Sequence, residues 1–109
     1  MKLIFIFGLI SGLIVAVLTV NGIDIANPTS TSTFTCLKNN GNTFAIIRAW
    51  RSTGVLDANA NTNLQNAKAA GLATDIYMFP CRGKDATSQV NGLISGITSS
   101  SYNTVWIDV

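Results

Sequence analysis

The chain has 109 residues, 48% of them hydrophobic and 11% charged, with seven Lys and Arg against five acidic residues for a net charge of +2. A positive balance this slight, with the cations scattered singly, excludes a nucleic-acid module built on a dense basic face, and the apolar content excludes a disordered chain. All five acidic residues are aspartates and histidine is absent, so neither an imidazole nor a Glu general acid is available within these residues.

Taken in chain order, Met1 to Val20 starts with one lysine, Lys2, and runs on as an apolar block broken only by Gly8, Ser11, Gly12 and Thr19. This pattern predicts a signal peptide over residues 1–21. Small residues at Val17-x-Thr19 and Val20-x-Gly22 leave the cleaved bond open. A retained anchor is the alternative, since the run approaches the ~20 residues that span a bilayer, but no basic stop follows it. The expected location is secreted or extracellular, lysosomal and phagosomal compartments included, with no membrane association after cleavage. In an oxidising compartment Cys36 and Cys81, the only cysteines, form one internal disulfide by default, unpaired or intermolecular thiols being the alternatives. Two thiols without histidine fall short of a zinc site, and no metal or cofactor is expected.

Residues 22–109 then alternate between strand and helix patterns. Ile23-Asp24-Ile25 reads as a short strand. Thr31 to Asn40, with Phe34, Cys36 and Leu37 at helical spacing, reads as a helix stopped by Asn40-Gly41. Phe44 to Trp50 is a near-continuous apolar run, as in a parallel strand covered on both faces, and it leaves through Arg51-Ser52-Thr53-Gly54. Asn61 to Ala70 is a small-faced helix ending at Gly71, with Asp57 or Asn59 as its cap rather than a metal loop. Leu72 to Phe79 is a strand closed by Pro80. Val90, Leu93, Ile94 and Ile97 mark a third helical stripe, capped by Asp85 or Thr87, in which Gly92 and Gly96 serve helix packing. Thr104 to Val109 is a fourth strand. The order β-α-β-α-β-α-β predicts an α/β fold, a partial β/α (TIM-like) barrel with about four parallel strands and intervening helices. Because the chain stops within a strand, it reads as the N-terminal part of a larger domain.

In such folds functional residues gather at the carboxyl-terminal ends of the strands. Alternation places Arg48 with Trp50, Tyr77 with Phe79, and Trp106 with Asp108 on shared faces. Asp24 and Asp108 each stand between apolar neighbours, where a carboxylate is costly unless hydrogen-bonded or functional. Two carboxylates at a mouth lined by aromatic rings suggest carbohydrate chemistry, with rings stacking on sugar faces and carboxyl groups acting at a glycosidic bond. Arg48 either contacts substrate or balances Asp24 or Asp108 as a buried ion pair. Arg51, Arg82 and Lys84 read as solvated loop charges.

Gly22-Ile23-Asp24-Ile25, Phe44 to Trp50, Asp75-Ile76-Tyr77-Met78-Phe79-Pro80-Cys81 and Val105-Trp106-Ile107-Asp108-Val109, in this order and spacing, make the chain similar to glycoside hydrolase family 25, the Chalaropsis-type muramidases, particularly those of amoebae and nematodes. The resemblance implies an irregular β/α barrel that hydrolyses the β-1,4 bond between N-acetylmuramic acid and N-acetylglucosamine in bacterial peptidoglycan, acting as a monomer when the domain is complete. It implies that Asp24 is the first-strand active-site carboxylate and Asp108 the aspartate of an Asp-x-Glu motif. The Glu, the general acid, would follow Val109. A residue two beyond Asp108 would share its face, where paired carboxyl groups can hold different pKa values. The 109 residues alone are therefore expected to lack appreciable muramidase activity. The alternatives are a non-catalytic glycan binder using Trp50, Tyr77 and Trp106 as its platform, and a small secreted α/β protein whose aspartates only cap loops.

Overall fold

A computed structural model describes the backbone of residues 2–8 and 15–109, with side chains from residue 20 onward. Strands β1 (Lys2–Gly8) and β2 (Val15–Ile25) are followed by α1 (Thr31–Asn39), β3 (Asn42–Arg51), β4 (Val55–Leu56), α2 (Ala60–Ala69), β5 (Ala73–Met78), α3 (Ala86–Gly96) and β6 (Val105–Ile107). Helices α1 and α3 start where short polar side chains satisfy free amides. Ser30 Oγ accepts the Thr33 N–H at 3.2 Å ahead of α1, and Asp85, one of the two expected caps, accepts the Ser88 N–H at 2.8 Å ahead of α3.

The sheet order is β1-β2-β3-β5-β6, with β4 attached to β3. The pairs β2/β3, β3/β5 and β5/β6 are parallel, as expected for an arc of a β/α barrel, and the sheet does not close. Two antiparallel strands add to the expected order. β4 arises because Gly54 N–H bonds back to the Arg51 carbonyl at 2.8 Å, so the chain reverses and Val55 pairs with Arg51; a two-residue strand leaves no periodicity to read. β1 lies antiparallel to β2. The leader expected over residues 1–21 falls mostly on residues whose side chains, and in part whose backbone, lie outside the described ones.

One face of the sheet carries the core. Ala45, Ile47, Ala49, Ile76 and Met78 are buried against Phe34 of α1, Leu64 and Ala67 of α2, and Leu93 of α3. Each large aliphatic buried there contributes roughly 1.5–3 kcal/mol. The stripe on α3 is turned from its expected setting: Leu93 and Ile97 are buried with Gln89, while Val90 and Ile94 face solvent.

The expected disulfide does not form, since both thiols are free. Cys36 lies in the last turns of α1, which lead into the start of β3, whereas Cys81 lies beyond the end of β5. They sit near opposite ends of a sheet whose strand β3 spans roughly 30 Å at ~3.3 Å per residue, and a disulfide requires Cα atoms within ~7 Å.

Candidate active site

Residues in register across parallel strands share a face. Asp24 of β2 pairs with Ile46 of β3, which pairs with Asp75 of β5. Two residues further along, Arg48, Tyr77 and Trp106 form the next row. Both rows lie on the face turned away from the helices. Asp108, two beyond Trp106, continues the alternation, and its N–H donates to the Met78 carbonyl at 2.9 Å.

Asp24 and Asp108 are separated by two intervening strands, and their approach follows from strand tilt. In an eight-stranded β/α barrel the register advances by about one residue per strand at constant height. The residue beside Asp75 on the far strand is Thr104, whose N–H donates to Asp75 Oδ1 at 3.0 Å. Asp108 lies four positions beyond it, close to the three that the tilt requires over three strand steps. The two carboxylates consequently line one cleft of about 340 Å³ together with Ile46, Tyr77, Trp106 and Ile107.

The electrostatics of the cleft meet at Tyr77. Burial pushes its phenol above the ordinary value of 10.0, Arg48 pulls it down, and Asp24, Asp108 and Asp57 push it up again, with a net rise. The phenol is therefore a neutral hydrogen-bond donor at physiological pH. Trp106 leaves 45% of its surface exposed, while its Nε1–H donates to Asp75 Oδ2 at 2.9 Å. Asp75 thus fixes both the indole edge and the entry to β6. Its role was missed in the sequence, although its parity with Tyr77 placed it on the same face.

Arg48 pairs with neither Asp24 nor Asp108. Its Nε donates to Asp57 Oδ2 at 2.7 Å, and Asp57 is only 3% exposed. The reversal into β4 brings Asp57 back beside β3, where its N–H reaches the Ala49 carbonyl at 2.8 Å. Its second oxygen accepts the Asn59 N–H at 2.9 Å and so holds the turn into α2, while Asn59, the N-cap itself, makes no side-chain capping bond.

Trp50 departs furthest from its expected place. A register irregularity between Arg48 and Trp50 breaks the alternation and turns the indole to the helix side. There it is 7% exposed and donates through Nε1 to Gln89 Oε1 at 3.1 Å. Phe79 is 42% exposed and lines a neighbouring cleft that also includes Asp108. Among the described residues no group of three or more Cys, Asp, Glu or His is arranged to hold a metal.

Asp24, Asp108, Tyr77 and Trp106 thus meet in one cleft at the carboxyl-terminal edge of a parallel β/α arc. The family model described as lysozyme-like protein 1 matches residues 16–109. Lysozyme-like protein 5 of Caenorhabditis elegans is 41% identical over 95 residues, covering 82% of this chain and 44% of that protein. Probable GH family 25 lysozyme 2 of Dictyostelium discoideum is 37% identical over 95 residues, covering 83% of this chain and 44% of that protein. The chain belongs to this lysozyme-like family of glycoside hydrolases. It spans less than half the length of these curated relatives, and no solved structure matches it.

Proposed function

We propose that this chain supplies one wall of the active site of a secreted lysozyme-like hydrolase, acting on the β-1,4 bond between N-acetylmuramic acid and N-acetylglucosamine in bacterial peptidoglycan. The observation that carries the reading is the single cleft shared by Asp24, Asp108, Tyr77 and Trp106. In it Asp24 and Asp108 stabilise charge developing at the sugar ring, Trp106 offers a stacking face, and Tyr77 donates a hydrogen bond. Residues 1–21 act as the export leader, directing the protein to a secreted or lysosomal location. Among the described residues no helix is long and apolar enough to cross a membrane.

The 109 residues contain no glutamate, which favours glycan binding without cleavage by this polypeptide taken alone. On insoluble peptidoglycan the 109-residue polypeptide should be retained and release no soluble fragments. A longer polypeptide carrying Glu two positions after Asp108 should release them. In that longer form Asp24→Asn should lower turnover by about 100-fold or more at unchanged stability. Fragment release by the short polypeptide at the rate of the longer one, or full activity in Asp24→Asn, would overturn the assignment.

A further inference from the structure

An asparagine loses its side-chain amide most readily when glycine follows it, because a residue without a Cβ lets its backbone nitrogen close on the asparagine Cγ. The chain holds three such pairs, Asn21-Gly22, Asn40-Gly41 and Asn91-Gly92. Alike in sequence, they are set apart by the fold. Asn21 lies inside β2, paired to β1 on one side and to β3 on the other, and the Phe44 ring occupies the place where a Cβ of Gly22 would stand. Asn91 lies in the middle of α3, and the Trp50 ring covers Gly92 in the same way, 2.7 Å from a Cβ placed there.

The third pair is open. Asn40 follows the last turn of α1 as its C-cap and is exposed. Gly41 takes φ +97°, the left-handed conformation common just past a helix, and the nearest atom to a Cβ built on it is Asn21 Nδ2 at 3.9 Å. The Gly41 N–H donates to the Lys38 carbonyl at 2.9 Å, a terminal turn bond of the kind that frays while the rest of a fold stays closed. Asn40 Nδ2 donates to the Cys36 carbonyl at 2.8 Å, so the side chain amide serves the end of α1.

We propose that Asn40 is a site of spontaneous deamidation, selected among the three pairs by the fold, and that the change weakens the end of α1. The Gly41 nitrogen forms a bond to Asn40 Cγ, and Nδ2 leaves as ammonia with the proton that the Gly41 nitrogen gives up, which closes a cyclic imide. Water then adds at either imide carbonyl and breaks its C–N bond, leaving an aspartate or an isoaspartate in place of Asn40. One water is consumed and one ammonia released, with no change of oxidation state. The donor to the Cys36 carbonyl is thereby exchanged for a carboxylate at the negative end of the helix dipole, where a cation is favoured.

Peptide mapping by mass spectrometry, after incubation of the folded 109-residue polypeptide in mildly alkaline buffer and of a parallel sample in denaturant, tests the site. In the folded sample Asn40 should convert at least about tenfold faster than Asn21 or Asn91, which react only after larger openings. In denaturant the three should convert at similar rates. Conversion of Asn21 or Asn91 as fast as Asn40, an inert Asn40 in the folded sample, or an equal lead for Asn40 in denaturant overturns selection by the fold. Asn40→Asp, which carries the charge of the product, should melt a few degrees below the wild type. A melt at or above that of the wild type overturns the effect on α1.

Discussion

Tyr77 reports on the charges around it. Its pKa is raised, with burial the leading cause, so the folded chain holds this proton more tightly than the unfolded chain does. The stabilising contribution is complete below the unfolded value of about 10 and is lost as pH rises through the folded value. The difference between the phenolate absorbance titrations of the wild type and Tyr77→Phe should have its midpoint above 10.0, and thermal melts of Tyr77→Phe should lose less stability over that range. A midpoint at or below 10.0 would show the ring to be solvated. At this scale the sequence was partly legible. An aspartate between aliphatic neighbours marks itself, so Asp24 and Asp108 could be singled out in the sequence, and the structure places both on one cleft. The Arg48–Asp57 pair could not, because a two-residue strand sets the proximity of residues nine apart. Trp50 misled for a related reason: strict alternation predicts a face only where no bulge intervenes.

At the scale of elements, the helices were legible from spacing and caps, and the parallel strands from continuous apolar runs. What escaped was the side of α3 that packs inward, because Val90 and Ile94 are as apolar as Leu93 and Ile97, and because the buried position opposite Trp50 is filled by Gln89. Gly92 belongs to that contact. A Cβ there would lie 2.7 Å from Trp50 Cη2 and 3.0 Å from Cζ3, and the Gln89 bond at 3.1 Å holds the indole in place. Gly92→Ala gains about 1 kcal/mol of helix propensity but overpacks a rigid ring at a cost of about 1–3 kcal/mol. A net destabilisation of about 1 kcal/mol is expected in denaturant unfolding. A variant as stable as the wild type would mean that the indole yields. The loop after β2 is secured in a similar way, by Asn63 of α2, which donates to the Asn27 carbonyl at 2.9 Å and accepts the Thr29 N–H at 2.9 Å.

At the scale of the whole molecule, the correction concerning the cysteines follows from β/α topology. A residue near the end of a helix and a residue just past a strand end belong to opposite rims of the sheet, whatever the compartment. Thiol titration of the native 109-residue polypeptide should find two reactive groups, and finding none would reinstate the internal disulfide expected from the sequence. The barrel arc itself was legible because each strand–helix repeat follows the same rule. The two antiparallel strands were not, one being too short to show a pattern and the other lying in the apolar N-terminal run.

The three loops nearest the clefts are each fastened by a residue that faces elsewhere: Asn63, Asp57 and Gln89. Anchorage and display are thereby assigned to different positions. A lining side chain such as Phe79, 42% exposed, can therefore be replaced without disturbing the backbone course beneath it, which Gln89 secures from the other side.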